Sequence, residues 1–343
     1  MRAVAAVVLL AVSATLVARQ DDRAAEGIAR QLAQSLGLTE AQVAAVRRGE
    51  DVEVDVRPSV DREIAVAGAV RVAAPAARMI EVMRDVERLE QGGGFLATRR
   101  ISSPPTLDDM AALRLPAQDV ADLRRCRPGR CEVKLGDGAF SALAAIDWRG
   151  PDAEAEVQAL ARRMAVGYVE RYRAGGNQAL AIYQDAERPT YVAHELEDMV
   201  RRSAVLSGAL PEVSAYLLSY PRTRPPGADD FFYWSIAQFG LKPVVRINHV
   251  VSHPASRPDG LQGVVTVKQL YASHYFHAAL EVRALVDDPE RPGAGHYLMV
   301  LNLARSDGLT GLMGGIVKKK AREGARKGLQ AALRGMKARA EGR

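Results

Sequence analysis

GLTGLMGGIVKKKAREGARKGLQAALRGMKARAEGR, residues 308–343, reads as one uninterrupted amphipathic helix. Leu309, Leu312, Met313, Ile316, Val317, Ala321, Ala325, Leu329, Leu333 and Met336 recur at three- and four-residue steps. That spacing places side chains on one helical face. Lys318, Lys319, Arg322, Arg326, Lys327, Arg334 and Lys337 fall on the other. The middle of the apolar face is small: Ala321, Gly324, Ala325 and Gly328. A helix with bulky ends and a narrow waist, laid over a curved antiparallel sheet, leaves room beneath its centre. These four residues are therefore expected to line a ligand cavity.

The segments just before the helix supply such a sheet. Val244, Arg246, Asn248 and Val250 alternate with Val245, Ile247, His249 and Val251, the period of a strand. Further strand runs cover Gly263–Leu270, Phe276–Val286 and His296–Leu303, separated by turns rich in Pro, Gly and Asp. Four strands joined by short turns predict an antiparallel meander. Toward the N-terminus, Val52, Val54 and Val56 form one alternating run, and Ile64, Val66, Gly68, Val70 and Val72 another. A helix over Ala76–Leu89 and a strand over Phe95–Ile101 follow. Ser102-Ser103-Pro104-Pro105 stops this part. Residues 106–227 carry mainly helical periodicity, with Ala153–Arg173 the longest segment and Gly175-Gly176-Asn177 its natural end. The fold class is α+β: an antiparallel curved sheet gripped by a long C-terminal helix, with a large helical insertion. The expected division is 1–18, 19–50 (helical, with a Thr39 to Gln42 capping box), 51–105 (first part of the core), 106–227 (insertion) and 228–343 (meander and final helix).

Composition, at 48% hydrophobic and 26% charged, excludes a disordered chain. The net charge of +6 is uneven: from Arg305 onward eleven Lys or Arg face three acidic residues, leaving residues 1–304 slightly acidic. The basic face is either a solvated helix surface or a contact with an anionic membrane, through Lys318, Lys319, Arg322, Arg326 and Lys327. Nucleic acid fits poorly, because aromatic interleaving and base-reading motifs are missing. Residues 1–18, with Arg2, an apolar run from Ala3 and small residues at Ala14 and Ala18, read as a secretory signal; a retained anchor is the lesser alternative, since Ala3–Ala18 falls short of the ~20 apolar residues that span a bilayer. The protein is thus expected in the periplasm or outside the cell. Cys126 and Cys131 flank Arg127-Pro128-Gly129-Arg130, a turn that would bring them together in an oxidising compartment as a structural disulfide.

Two stretches carry a family resemblance. In Glu63–Leu89 a strand runs into Ala74-Pro75 and a helix ending Arg84-Asp85-Val86-Glu87-Arg88-Leu89. In Lys242–Arg343 strands lead through Arg305-Ser306-Asp307-Gly308-Leu309 to the long helix. The chain resembles the START-like helix-grip fold of the SRPBCC superfamily, and also a group of uncharacterised secreted bacterial proteins with stretches like Cys126–Leu135 and Phe232–Val245. The first likeness implies a cavity for a lipid or other hydrophobic molecule, or, in a minority of such proteins, cyclase or hydroxylase chemistry. Fold alone does not choose among these.

The ligand-binding candidates are Tyr233, Trp234, Arg246, Asn248, Tyr271 and Tyr275, together with the helix waist. The aromatics stand out in a chain only 5% aromatic, and Arg246 and Asn248 would hold a head group. Were the protein an enzyme, Tyr271, His274 and His277 would be its acid–base groups. Five of the six histidines lie in the last 100 residues, but strand spacing separates His249 from His253 by about 13 Å. No metal and no cofactor is expected, and neither a phosphate loop nor a nucleophile elbow occurs. The expected function is non-catalytic binding, and carriage, of a lipid-like molecule. The alternatives are an enzyme on the same fold and a ligand-free envelope protein.

Overall fold

Eight strands form one sheet in the order β1 (Val52–Asp55), β2 (Glu63–Val72), β10 (His296–Ser306), β9 (Phe276–Asp287), β8 (Leu261–Ala272), β7 (Val244–Pro254), β6 (Asp229–Ala237), β3 (Phe95–Ile101). Every neighbouring pair is antiparallel. The computed structural model describes residues 27–136, 138–238, 242–288, 291, 295–311 and 314–343. The expected signal, and Leu312 and Met313 of the final helix pattern, lie outside the described residues.

The meander has five strands rather than four. β6 was not foreseen because Phe231, Phe232, Tyr233 and Trp234 are all buried, so the strand shows no polar alternation. The helix expected over Ala76–Leu89 divides into α3 (Ala76–Arg84) and α4 (Val86–Leu89) at Asp85, whose carboxylate accepts from the Arg88 backbone N–H. Around them are α1 (residues 27–36), α2 (Glu40–Arg47), α5 (Ala117–Leu123), α6 (Ala139–Ala144), α7 (Ala153–Gly175), α8 (Val192–Arg202), α9 (Pro211–Ser219) and α10 (Gly314–Ala340). A two-stranded hairpin, β4 (Ile182–Tyr183) with β5 (Thr190–Tyr191), lies within the insertion.

The sheet is covered on both sides. On one face Val66, Val70, Tyr233, Val250, Val265, Leu285 and Val300 pack against Met79 and Met83 of α3 and Leu329, Leu333 and Met336 of α10. On the other, Ala67, Phe232, Trp234, Ile247, Val251, Leu280 and Val282 pack against α1, α7, α8 and α9. The insertion therefore forms the third layer. Part of it builds a small lobe around Leu123, Val133, Leu135, Leu143 and Val157, tied by the Cys126–Cys131 disulfide. That bond fits an oxidising compartment. Among the described residues, no helix is long and apolar enough to cross a membrane.

α10 reaches β2 at Gly68. A Cβ there would stand 2.8 Å from both Leu333 Cδ1 and the Val52 carbonyl oxygen, so only glycine permits this approach. The C-terminal half of α10 is the half that packs: Leu329, Leu333, Met336 and Ala340 are buried. The N-terminal half departs from expectation. Ile316 is 56% exposed and Val317 42%, and Ala321, Gly324 and Gly328 are exposed. At 100° per residue, Ile316 points about 140° and Val317 about 120° away from Leu329. The periodic set merges two stripes, and the inward direction of the first half is taken by Lys318, Arg322 and the half-buried Ala325.

Candidate functional site

The small waist of α10 does not roof a cavity. Ala321, Gly324 and Gly328 face solvent, and Ala325 alone is half-buried. The basic residues also divide. Lys318 Nζ donates to the Asp61 carbonyl at 2.6 Å, Arg322 stands 4.0 Å from Asp55, and Arg326 donates to the Glu53 carbonyl at 3.4 Å. These three, at four-residue steps, fasten the helix along β1 and the β1–β2 connection. Lys319 and Lys327 are exposed and, like Lys320, unpaired among the described residues.

The ligand-binding candidates on β6 and β7 are split between the two sheet faces. Tyr233, Arg246 and Asn248 share the α3/α10 face. The Tyr233 hydroxyl and the Arg246 guanidinium both donate to Glu90 Oε1, at 2.9 and 2.8 Å, and Arg246 also donates to Ser235 Oγ at 2.8 Å. Burial pushes the Tyr233 hydroxyl well above its ordinary pKa. Asn248 is 1% exposed, and its side-chain nitrogen has no hydrogen-bond partner among the described residues. Trp234 lies on the opposite face, its indole N–H donating to the Asp109 carbonyl at 2.8 Å. Alternation along β6 requires this separation.

The acid–base candidates are committed to structure. Tyr271 donates to the Lys134 carbonyl at 2.8 Å, and burial raises its pKa. His274 meets the Glu132 carbonyl through Nδ1 and Asp119 Oδ1 through Nε2, both at 2.9 Å. His277 Nε2 pairs with Asp307. Tyr275, at a left-handed φ of 60°, accepts from the Lys242 backbone N–H at 2.8 Å. Tyr271, His274 and Tyr275 thus pin the end of β8 to the insertion and to the segment before β7.

A buried cluster that sequence reasoning passed over lies between the sheet and the insertion. His249 of β7 and Lys268 of β8 are register partners pointing into the same layer, and neither is exposed. Lys268 Nζ donates to Asn177 Oδ1 at 2.9 Å and lies 4.9 Å from the ring centre of Tyr172 and 5.6 Å from that of Tyr220. Asn177 is brought there by Gly176, where any Cβ would collide with the Tyr220 carbonyl at 1.8 Å. Burial drives the Lys268 ammonium down to about 7 and His249 down to about 4. His249 sits 3.3 Å from the Tyr172 hydroxyl and 3.6 Å from Asp230. Burial alone would raise the Asp230 carboxyl; His249, the Tyr216 hydroxyl at 2.8 Å and Arg224 hold it below its ordinary value instead. The aromatic walls close this cluster, which makes it a polar core rather than a site.

A pocket open to solvent lies elsewhere on the same face. A half-enclosed pocket of about 270 Å³ lies between the end of α1, the β1–β2 connection and the end of α8. Leu301 and Leu303 of β10 form its floor, and Leu36, Val56, Met199 and Val205 contribute apolar wall. Arg57 and Arg202 stand on its rim. Arg202 donates to Asp198 at 2.6 Å, whereas Arg57 is exposed and unpaired among the described residues.

A charge network stiffens the pocket wall. Arg305, 1% exposed, donates to Glu63 at 3.0 Å, to the Glu195 carboxylate at 3.1 Å, to Asp198 at 2.7 Å and to Ser59 Oγ at 3.0 Å. Ser59 in turn donates to both Glu63 carboxylate oxygens, at 2.8 and 2.9 Å. Glu195 and Asp198 reach Arg305 together because three residues along α8 bring side chains to one face. Sequence offered no signal for this pocket, since residues near 35, 57, 202 and 302 share no motif.

Among the described residues, no group of three or more His, Cys, Asp or Glu is placed to hold a metal ion. In comparisons with known proteins, no family model matches the chain and no curated protein matches it.

Proposed function

We propose that this protein binds, and carries, a small amphipathic molecule with one short apolar arm and an anionic end, in the periplasm. The pocket beside β10 carries the reading: an apolar floor, partial enclosure and a cationic rim with one unpaired guanidinium. Apolar lining with a few placed polar groups is the common build of small-molecule sites. The volume of about 270 Å³ falls just below the ~300 Å³ lower end of such sites. It suits a single short chain or ring and is too small for a two-chain phospholipid. The lipid-like ligand expected from the helix-grip resemblance is accordingly smaller, and its place is the sheet face away from α10. The disulfide and the apolar N-terminal stretch support a location outside the cytoplasm.

Titration calorimetry with a series of short and medium straight-chain carboxylates tests the proposal. Ala204 lines the pocket yet is exposed, so Ala204→Trp fills the mouth without touching the core. The expected result is saturable binding, weakened about tenfold or more by Ala204→Trp and by Arg57→Gln, which is about 1.4 kcal/mol. Equal binding to all three proteins, or none across the series, would overturn the assignment.

A further inference from the structure

Among the described residues the outward face of α10's first half has no partner, and its charge specifies what kind of partner suits it. Residues 314–328 carry six Lys or Arg and one Glu. Lys318, Arg322 and Arg326 are turned toward β1 and the β1–β2 connection and hold the helix in place. That anchoring fixes which side is left outward: exposed Lys319, Lys320 and Lys327, unpaired among the described residues, beside exposed Ile316 and Val317. Ala321, Gly324 and Gly328 continue the exposed stripe with almost no side-chain bulk. The helix backbone can therefore lie close against a surface while the lysines extend past it.

We infer that Gly314–Gly328 is a docking surface for an anionic lipid bilayer. Lysines on this face meet lipid phosphates, and the two large apolar side chains enter the headgroup boundary, the arrangement of interfacial amphipathic helices. A second copy of the chain is the poorer occupant, because self-association through this stripe would bring the unpaired lysines of two copies together. The surface lies across the sheet from the pocket, so the inference does not depend on ligand binding.

Co-sedimentation of the full chain with vesicles tests it, comparing pure phosphatidylcholine with a phosphatidylcholine–phosphatidylglycerol mixture. The apolar N-terminal stretch acts alike on both, so the difference reports the anionic contribution. Each lysine near an anionic surface contributes about fivefold in partitioning, so K319Q/K320Q/K327Q should lose about a hundredfold of the phosphatidylglycerol-dependent binding. Ile316→Ser should weaken it further, raised salt should weaken it in the parent protein, and Ala204→Trp should leave it unchanged. No preference for the anionic vesicles, undiminished binding by the triple variant, or a concentration-dependent dimer abolished by that variant would each overturn the proposal.

Discussion

Replacing Lys268 by Met probes the closed cluster between sheet and insertion. Met keeps the length of the side chain and removes the ammonium. In the folded protein burial lowers the lysine from its ordinary 10.5 to about 7. Below pH 7 both folded and unfolded chains carry the proton, and the full cost of burying it is present. Between about 7 and 10.5 the unfolded chain holds one more proton than the folded one, so stability rises with pH. Above 10.5 the cost is gone. Integrated from about pH 7 to about pH 9, this group alone stabilises the parent protein by about 2 kcal/mol, at 1.36 kcal/mol per pKa unit. Lys268→Met has no such gain. Its advantage over the parent should therefore be greatest near neutrality and shrink by about 2 kcal/mol toward pH 9. It is partly offset throughout by the Asn177 oxygen left without its donor, a loss of about 1–3 kcal/mol. Urea unfolding followed by circular dichroism, at several pH values in this window, measures the difference. His249 titrates at about 4 and stays out of the way, and the raised buried tyrosines matter only in stronger alkali. Neither cysteine is free, so mild alkali starts no thiol exchange. Parallel stability profiles for the two proteins would show that Lys268 keeps its charge in the fold, and the reasoning from burial would fail.

Two further outcomes follow from packing and covalent structure. Gly68→Ala should destabilise by about 1–3 kcal/mol and loosen α10, because the Val52 carbonyl cannot move aside; the thermal midpoint and hydrogen exchange along Leu329–Met336 report both. Replacing Cys126 and Cys131 together by Ser should cost about 2 kcal/mol from lost loop closure, with faster exchange confined to the lobe around Leu123 and Leu143; exchange spreading through the main sheet would contradict that the lobe is a separate cluster.

What sequence alone made legible depended on whether one side of an element faces water. Strands β7 to β10 were visible through their alternation and bounding turns, and α10 through its length. β6 was hidden because Phe231–Trp234 are covered from both sides. The Thr39–Gln42 capping box appears as read, with the Thr39 hydroxyl accepting from the Gln42 backbone N–H at 3.3 Å. The direction in which α10 turns was not legible, because three- and four-residue spacing accommodates two stripes and only Gly68 against Leu333 decides between them. The pocket escaped for another reason. Its lining comes from segments spread between Gln34 and Leu303, and pairing between β2 and β10 helps to assemble them.

That pairing also governs when the chain can take shape. β2, within the first quarter of the sequence, has β10 as its inner neighbour, and β3 has β6. β3 waits for β6, β2 has β1 on one edge but waits for β10 on the other, and Gly68 meets its helix only when Leu333 arrives. Such distant partners make folding slow and late. A chain emerging from the ribosome carries β2 with only the four-residue β1 beside it, and its other edge open, for more than two hundred residues of synthesis. Closure of the sheet therefore waits for the last strand, and the cover over β2 waits for the last helix.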